Sequence, residues 1–394
     1  MAAMSRDPVA TATAVVAMLI DGRFGEVAGR FAPGLRAAVP PGDLRSAWAT
    51  VAAAPVAVTG PAESEPGQAG LVRVRVPVGG CTVVMSVDDR GVLHGLRFAP
   101  ASAPQWAPPS YADPRSFAER EITLGGGPGA TVTAPSAAGG AGVVLLAGGG
   151  PFDRDGSSGP NKPLKDLAWG LATRGVTVVR FDKAPAPTMT EEYVPAALAA
   201  LDVLRREPGV ERLFVAGHSM GGKVAPRVAE ADGAVAGLVI LAGDAQPMHH
   251  AAVRVARHLG LDPSTVEGFG RRAALVDGPG LTPETPAAEL PFGLPASYWL
   301  DLRGYDPVAA AVALPVPVFL GQGGRDYQVT VADDLTRWRT GLAGRADVTV
   351  RVYERLDHLF RPGAGPSTPA DYARPGHVDA AVISDVAEWV ARVG

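Results

Sequence analysis

The feature that most constrains the fold is an alternation, through the second two-thirds of the chain, of short apolar runs with stretches of helical period. Segments 142–147, 175–181, 213–216, 238–242, 316–320 and 348–353 are brief and almost continuously apolar. Runs of that kind are expected of strands covered on both faces rather than one. Segments 164–173, 190–206, 219–231 and 379–392 between or after them carry the helical pattern. Strands joined through helices must run parallel, which predicts an α/β architecture: a mostly parallel sheet with helices on both faces. From 243 to 314 no strand pattern occurs, so this stretch is expected to be a helical or irregular insertion at the C-terminal edge of the sheet, where a lid would sit.

The first hundred residues follow a different grammar. Asp7 and Pro8 suit the N-cap and first position of a helix, expected to run over 7–29, and a second helix is expected over 43–53. Strict alternation over 71–76, the Gly79-Gly80 turn, 81–87, the turn at Asp88-Asp89-Arg90-Gly91 and 92–98 predict a small antiparallel sheet. Residues 1–100 are therefore expected to form an α+β domain, with Arg73 and Arg75 on its solvated face. The proline-rich segment 101–118, with Trp106, is expected to be a linker or an extended strap. The larger domain then spans 119–394, opening with a short hairpin at 122–124 and 131–133.

Charge and composition exclude several classes. Net charge is −4 and no basic block occurs, which argues against nucleic acid as a partner. No apolar run reaches the roughly 18 residues of a membrane span. Residues 9–20 are apolar but lack the basic flank and cleavage site of a signal peptide, so a soluble, cytoplasmic protein is expected. The lone cysteine, Cys81, allows no intrachain disulfide and is expected to serve packing.

The chemistry is concentrated at Gly217-His218-Ser219-Met220-Gly221. In a chain with 49 glycines the G-x-S-x-G pattern is weak by itself. Its context strengthens it: an apolar strand runs in at Leu213-Phe214-Val215-Ala216 and a helix runs out from Met220. A sharp strand-to-helix turn lifts a serine Oγ clear of the sheet, and glycines two residues away on each side leave room for it. An ordinary N-cap serine is the structural alternative. A serine nucleophile needs a base, and the base an orienting carboxylate, here in the chain order serine, acid, histidine. His358, after the last strand, is the expected base, with His377 the second choice. His94 lies in the N-terminal domain, His218 beside the nucleophile, and His249, His250 and His258 in the insertion. Asp326, on the glycine-rich loop after 316–320, is the expected acid, ahead of Asp301, Asp306 and Asp357. The oxyanion hole is expected from the Met220 N–H and from Gly149 or Gly150 in Gly148-Gly149-Gly150-Pro151. His218, Tyr298 and Trp299 are candidate substrate contacts. No metal or cofactor is expected.

Gly150-Pro151, Asp153-Arg154-Asp155-Gly156, Gly159-Pro160-Asn161-Lys162, Asp166-Leu167-Ala168 and Phe181-Asp182-Lys183 occur in order, followed by Gln322-Gly323, Asp326-Tyr327-Gln328-Val329, His358-Leu359-Phe360 and Pro366-Ser367-Thr368-Pro369. Together they resemble a bacterial α/β-hydrolase family of serine aminopeptidase-like or dienelactone hydrolase-like type, across nearly all of 120–394. The family often carries a small N-terminal α+β domain similar to 1–100. The resemblance implies an α/β-hydrolase fold with a lid and a triad of Ser219, Asp326 and His358. It also implies a small-molecule acyl substrate, with hydrolysis of an ester, thioester or small amide. Departures are Ala147 or Gly148 where the family has histidine, Ala184 where arginine follows the Asp-Lys pair, Asp357 where asparagine precedes the base, and Lys223 early in the nucleophile helix. They leave open a lyase or cyclase of bacterial secondary metabolism, acting by elimination or acyl transfer. The roles open to the N-terminal domain are shaping the active-site mouth, forming a homodimer, or binding a small molecule.

Overall fold

The computed structural model describes residues 7–51, 56–67, 70–79, 81–100 and 106–393. The chain divides into two compact units, Met1–Pro104 and Gln105–Gly394.

In the first unit, helices α1 (Pro8–Ile20), α2 (Phe24–Gly29), α3 (Pro33–Ala38) and α4 (Pro41–Val51) accompany an antiparallel sheet. Its strands β1 (Glu63–Pro66), β2 (Val72–Val78), β3 (Cys81–Val87) and β4 (Leu93–Pro100) lie in the order β1-β2-β3-β4. The Asp7 carboxylate accepts from the Val9 N–H at 2.9 Å, with Pro8 in the first turn, so the expected helix start is real. The single helix expected over 7–29 is instead two, because Gly22 takes a left-handed conformation (φ +71°) and turns the chain between them. The end of the second expected helix beyond 51 and Gly80 of the hairpin lie outside the described residues. Strand β1 was not foreseen: Glu-Ser-Glu-Pro is short and polar. It matters because Glu65 accepts from both Arg73 and Arg75, at 3.2 and 3.1 Å, on the exposed face of β2. Cys81 is buried among Val15, Leu19, Val76 and Met85, and burial pushes its thiol pKa up, as suits a packing residue.

The second unit is built on eight strands: β5 (Phe117–Thr123), β6 (Gly129–Pro135), β7 (Gly140–Leu146), β8 (Thr177–Phe181), β9 (Val210–His218), β10 (Gly237–Leu241), β11 (Val318–Gly323) and β12 (Val348–Tyr353). Their order is β12-β11-β10-β9-β7-β8-β6-β5. Pairs from β8 through β12 are parallel, while β6 pairs antiparallel with both β8 and β5. The expected short hairpin at 122–133 is thus longer than read, and it forms the edge of the main sheet. Its strand β5 begins at Phe117, within the segment read as linker, and continues through Glu119-Arg120-Glu121, which are too polar to show a strand pattern.

Burial alternates along the central strands as a two-sided sheet requires. Val144 and Leu146 pack with α6 (Met189–Leu204) and α7 (Met220–Asp232) on one face. Val143 and Leu145 pack with α5 (Pro163–Ala172) and the C-terminal helix (Ala380–Arg392) on the other. Trp106, in the segment leading into the unit, donates to the Asp166 carboxylate at 2.8 Å and packs edge-on to Trp169. No strand interrupts 243–314, which holds α8 (Met248–His258), α9 (Pro263–Asp277), α10 (Ala296–Arg303) and α11 (Pro307–Ala313). No helix among the described residues is long and apolar enough to cross a membrane.

The chain winds from β7 outward through β8 on one side, and from β9 outward through β10, β11 and β12 on the other. The loops after β7 and β9 therefore diverge and open a crevice at the C-terminal end of the sheet. Such a switch point is where open α/β sheets bind ligands.

Candidate active site

Ser219 stands at that crevice, on the turn from β9 into α7, with φ +56° and ψ −121°. A non-glycine residue rarely adopts this conformation and does so at a cost of order 1–3 kcal/mol. The neighbours enforce it. A Cβ on Gly217 would lie 2.1 Å from the Gly221 carbonyl oxygen, and one on Gly221 would lie 2.4 Å from the Leu146 carbonyl oxygen. Both glycines of the motif are therefore required by backbone approaching backbone. Ser219 makes no side-chain cap to α7, so the N-cap alternative finds no support.

Asp326 and His358 meet across the ends of β11 and β12. The His358 Nδ1–H donates to Asp326 Oδ2 at 2.7 Å. The second carboxylate oxygen accepts from the backbone N–H groups of Gln328 (2.8 Å) and Val329 (3.0 Å), and Gln322 Nε2 donates to the first at 3.2 Å. Gln322 was not foreseen as part of this group. Burial alone would push the His358 pKa down. The charge and hydrogen bond of Asp326, reinforced by Asp357, overcome this and the net direction is up from 6.5. A histidine serving as a base acts only when neutral, so if His358 has that role kcat/KM is expected to rise with pH through a midpoint above 6.5, the ordinary histidine value. A pH–rate profile with its acid limb at or below that value would contradict this assignment.

Asp357 does not compete for His358. Its carboxylate accepts from the backbone of Leu359 (2.9 Å) and Arg361 (3.0 Å) and pairs with the Arg361 guanidinium at 3.1 Å, closing the turn that carries His358. Asp301 and Asp306 are occupied elsewhere. Asp301 accepts from Thr190 and pairs with Arg227, and Asp306 caps α11. His377 faces Asp166, and His94 faces Asp88. Lys223 is paired with Asp244 at 3.1 Å and donates to the Gln246 carbonyl, tying the start of the insertion to α7.

A cavity of about 280 Å³ is lined by Ser219, His218, His358, Gly148 and Gly149 on its polar side. Phe152, Leu164, Leu359, Tyr327 and Tyr372 form much of the remaining wall. The Ser219 Oγ has no hydrogen-bond partner among the described residues, which leaves it free to face the cavity. His218 lines the same wall. Its Nε2–H donates to the His358 carbonyl at 2.7 Å, and burial beside His358 pushes its pKa down to about 3, so it stays neutral and holds the loop of His358. A larger hollow of about 600 Å³ beyond Tyr327, with Arg254, Arg325 and Arg355 in its wall, does not contain Ser219.

The loop after β7 brings Gly148 and Gly149 to Ser219 and Met220. A Cβ on Gly148 would lie 3.3 Å from the Ser219 Cβ, and one on Gly149 3.6 Å from the Met220 Cβ. Gly150, at φ +110°, lies against Phe152: a Cβ there would come within 3.4 Å of the ring. Tyr298 and Trp299 are buried and line no part of the cavity. Tyr298 donates to Glu192 at 2.5 Å, and Trp299 packs with Val276, Leu281 and Leu290 inside the insertion. Their aromatic character suggested a ligand surface, but it serves packing of α10. Among the described residues, His249, His250 and Asp277 are the group of ligand-type side chains close enough to share a metal ion; each imidazole Nε2 lies 2.7 Å from an Asp277 oxygen.

The esterase EstD of Thermotoga maritima is 36% identical over 326 residues, which span 80% of this chain and 77% of that protein. Solved structures that align with the chain include the Pyrococcus furiosus esterase Pf2001 (16% identity, TM-score 0.46, 74% of this chain and 97% of that one). A hormone-sensitive lipase from a metagenome library also aligns (18%, TM-score 0.47, 75% and 90%). A family profile described as "Alpha/beta hydrolase family" matches residues 168–257, from within α5 through the serine turn and into the insertion. With a doubly wound sheet, a strained serine turn at its switch point and a relative of this identity and coverage, the chain belongs to the α/β-hydrolase family.

Proposed function

We propose that this protein is a serine esterase working through an acyl-enzyme on Ser219. The observation that carries the reading is the strained Ser219 turn opening on the same cavity as His358, itself bound at 2.7 Å to a buried Asp326. In this reading Ser219 Oγ attacks the ester carbonyl while His358 Nε2 takes its proton. Asp326 holds the tautomer and stabilises the imidazolium. The Met220 N–H at the first turn of α7, and that of Gly149, receive the charge developing on the carbonyl oxygen. The proton then passes from His358 to the departing alcohol, and water repeats the sequence to release the acid. That the named relative is an esterase supports ester over amide chemistry.

The cavity suggests the substrate's size. About 280 Å³ is small for a ligand site and its wall carries several large side chains. Short acyl chains fit it better than long ones. A fluorophosphonate is expected to add once per chain, on the peptide containing Ser219. Hydrolysis of p-nitrophenyl acetate and butyrate is expected to exceed that of the decanoate at least about 10-fold in kcat/KM. Labelling at another residue would sink the assignment, and a preference for the decanoate would sink the size argument.

A further inference from the structure

Lys183 takes no part in this proton traffic, yet it is buried directly behind the loop that serves it. Its ammonium has three N–H groups and three acceptors: the Gly148 carbonyl at 2.9 Å, the Tyr193 hydroxyl oxygen at 2.7 Å and the Glu192 carboxylate at 3.1 Å. Tyr193, also buried, donates its own O–H to the same Gly148 carbonyl at 2.9 Å. One backbone carbonyl thus receives two donors, one of them cationic, in a site closed to water. Such an arrangement requires a reason, because taking an ammonium out of water is costly unless its partners repay the lost hydration.

The reason lies on the other side of the peptide. In a trans peptide the carbonyl and the following N–H point in opposite directions. Fixing the Gly148 oxygen on Lys183 and Tyr193 therefore turns the Gly149 N–H away from the interior, on a loop whose glycines lie against Ser219 and Met220. Among the described residues that N–H has no acceptor. A cation bonded to the carbonyl also draws electron density from the amide and makes the N–H a stronger donor. A loop bearing Gly148-Gly149-Gly150 could otherwise rotate this peptide freely. We propose that Lys183, held by Tyr193 and Glu192, is the positioning residue of the oxyanion hole. It takes the place of a bracing side chain on the loop itself. Glu192 extends the connection: its other oxygen accepts from Tyr298 of α10 at 2.5 Å, so the insertion is tied to the same peptide through one carboxylate.

This inference rests on Ser219 being the nucleophile, and the test separates the two. Lys183→Met removes the ammonium at similar length, and the double variant Lys183→Met/Glu192→Gln also removes the carboxylate left behind, so that folding is preserved. Both are expected to lower kcat for p-nitrophenyl acetate about 100-fold, with KM within about threefold of wild type. Tyr193→Phe, which keeps the ammonium, is expected to lose about 10-fold. An alkylboronic acid, whose tetrahedral adduct mimics the oxyanion, should bind more weakly by the same factor as kcat/KM falls. A purely structural lysine would not make those two losses move together. Fluorophosphonate should still label Ser219 in every variant, only more slowly. Wild-type protein that is not labelled at Ser219 would overturn the nucleophile assignment. A folded double variant with kcat within threefold of wild type, or with boronic acid affinity unchanged, would overturn the role of Lys183 alone.

Discussion

Ser219→Ala is expected to lower kcat for a short-chain ester by about 10⁶-fold, leaving the slow rate that oxyanion stabilisation and binding provide without a nucleophile. The size of the loss follows from how the site is assembled. Each partner is useful only through the others, so the first removal forfeits nearly the whole contribution of the group. The variant should fold at least as well as the parent. Alanine has no more bulk than serine at a position where φ is +56°, and the Ser219 hydroxyl has no partner among the described residues to be left unsatisfied. Circular dichroism and thermal melting should therefore match wild type while turnover disappears into the background. A loss of only 10-fold would mean that the chemistry runs elsewhere, and the hydroxyl would then need another explanation.

Asp326→Asn is expected to lower kcat by about 10⁴-fold, for a reason specific to the donors around it. The Gln328 and Val329 N–H groups both point at one carboxylate oxygen and demand an acceptor there. The asparagine amide must place its oxygen on that side, which puts its NH₂ where the other carboxylate oxygen stood. That NH₂ now faces His358 Nδ1 and Gln322 Nε2. The imidazole can satisfy it only by shifting its own proton to Nε2, the nitrogen that must accept from Ser219. The base is then in the wrong tautomer, and the Gln322 amide faces another donor. Activity should return partially as pH rises beyond the wild-type midpoint and hydroxide substitutes for the base, in a range where the wild-type rate has already levelled off. A variant retaining more than about a tenth of wild-type kcat would show that another carboxylate serves His358.

The doubly wound sheet was legible in sequence because strands buried on both faces leave an uninterrupted apolar run. Val143 and Val144 face opposite helical layers, and both had to be apolar. The Ser219 turn was legible because glycine spacing and flanking elements coincide, and Asp326 and His358 followed from chain order. Only the end of strand β5 was legible, since Glu119, Arg120 and Glu121 sit on an exposed edge and break the apolar pattern. Lys183 was not legible. A lysine in a sequence looks like a solvated residue, and nothing local announces that it will be buried behind a glycine carbonyl 35 positions earlier. Tyr298 and Trp299 failed in the opposite sense, because aromatic side chains mark packing as often as recognition. The departures at Asp357 and Lys223 acquire reasons only through partners that folding supplies, Arg361 and Asp244.

The sheet order has a temporal consequence. Gly149, Ser219, Asp326 and His358 sit after four different strands, β7, β9, β11 and β12, and the last of these occupies the far edge, paired only with β11. A nascent or partly refolded chain can hold the serine turn long before β12 docks, since β7, β9 and their helices close over shorter stretches of chain. In the proposed mechanism the serine has no base until β12 joins, and until then it is as unreactive as any surface hydroxyl. On that reading turnover is the last property the molecule acquires, and a chain in which β12 has not docked leaves esters intact.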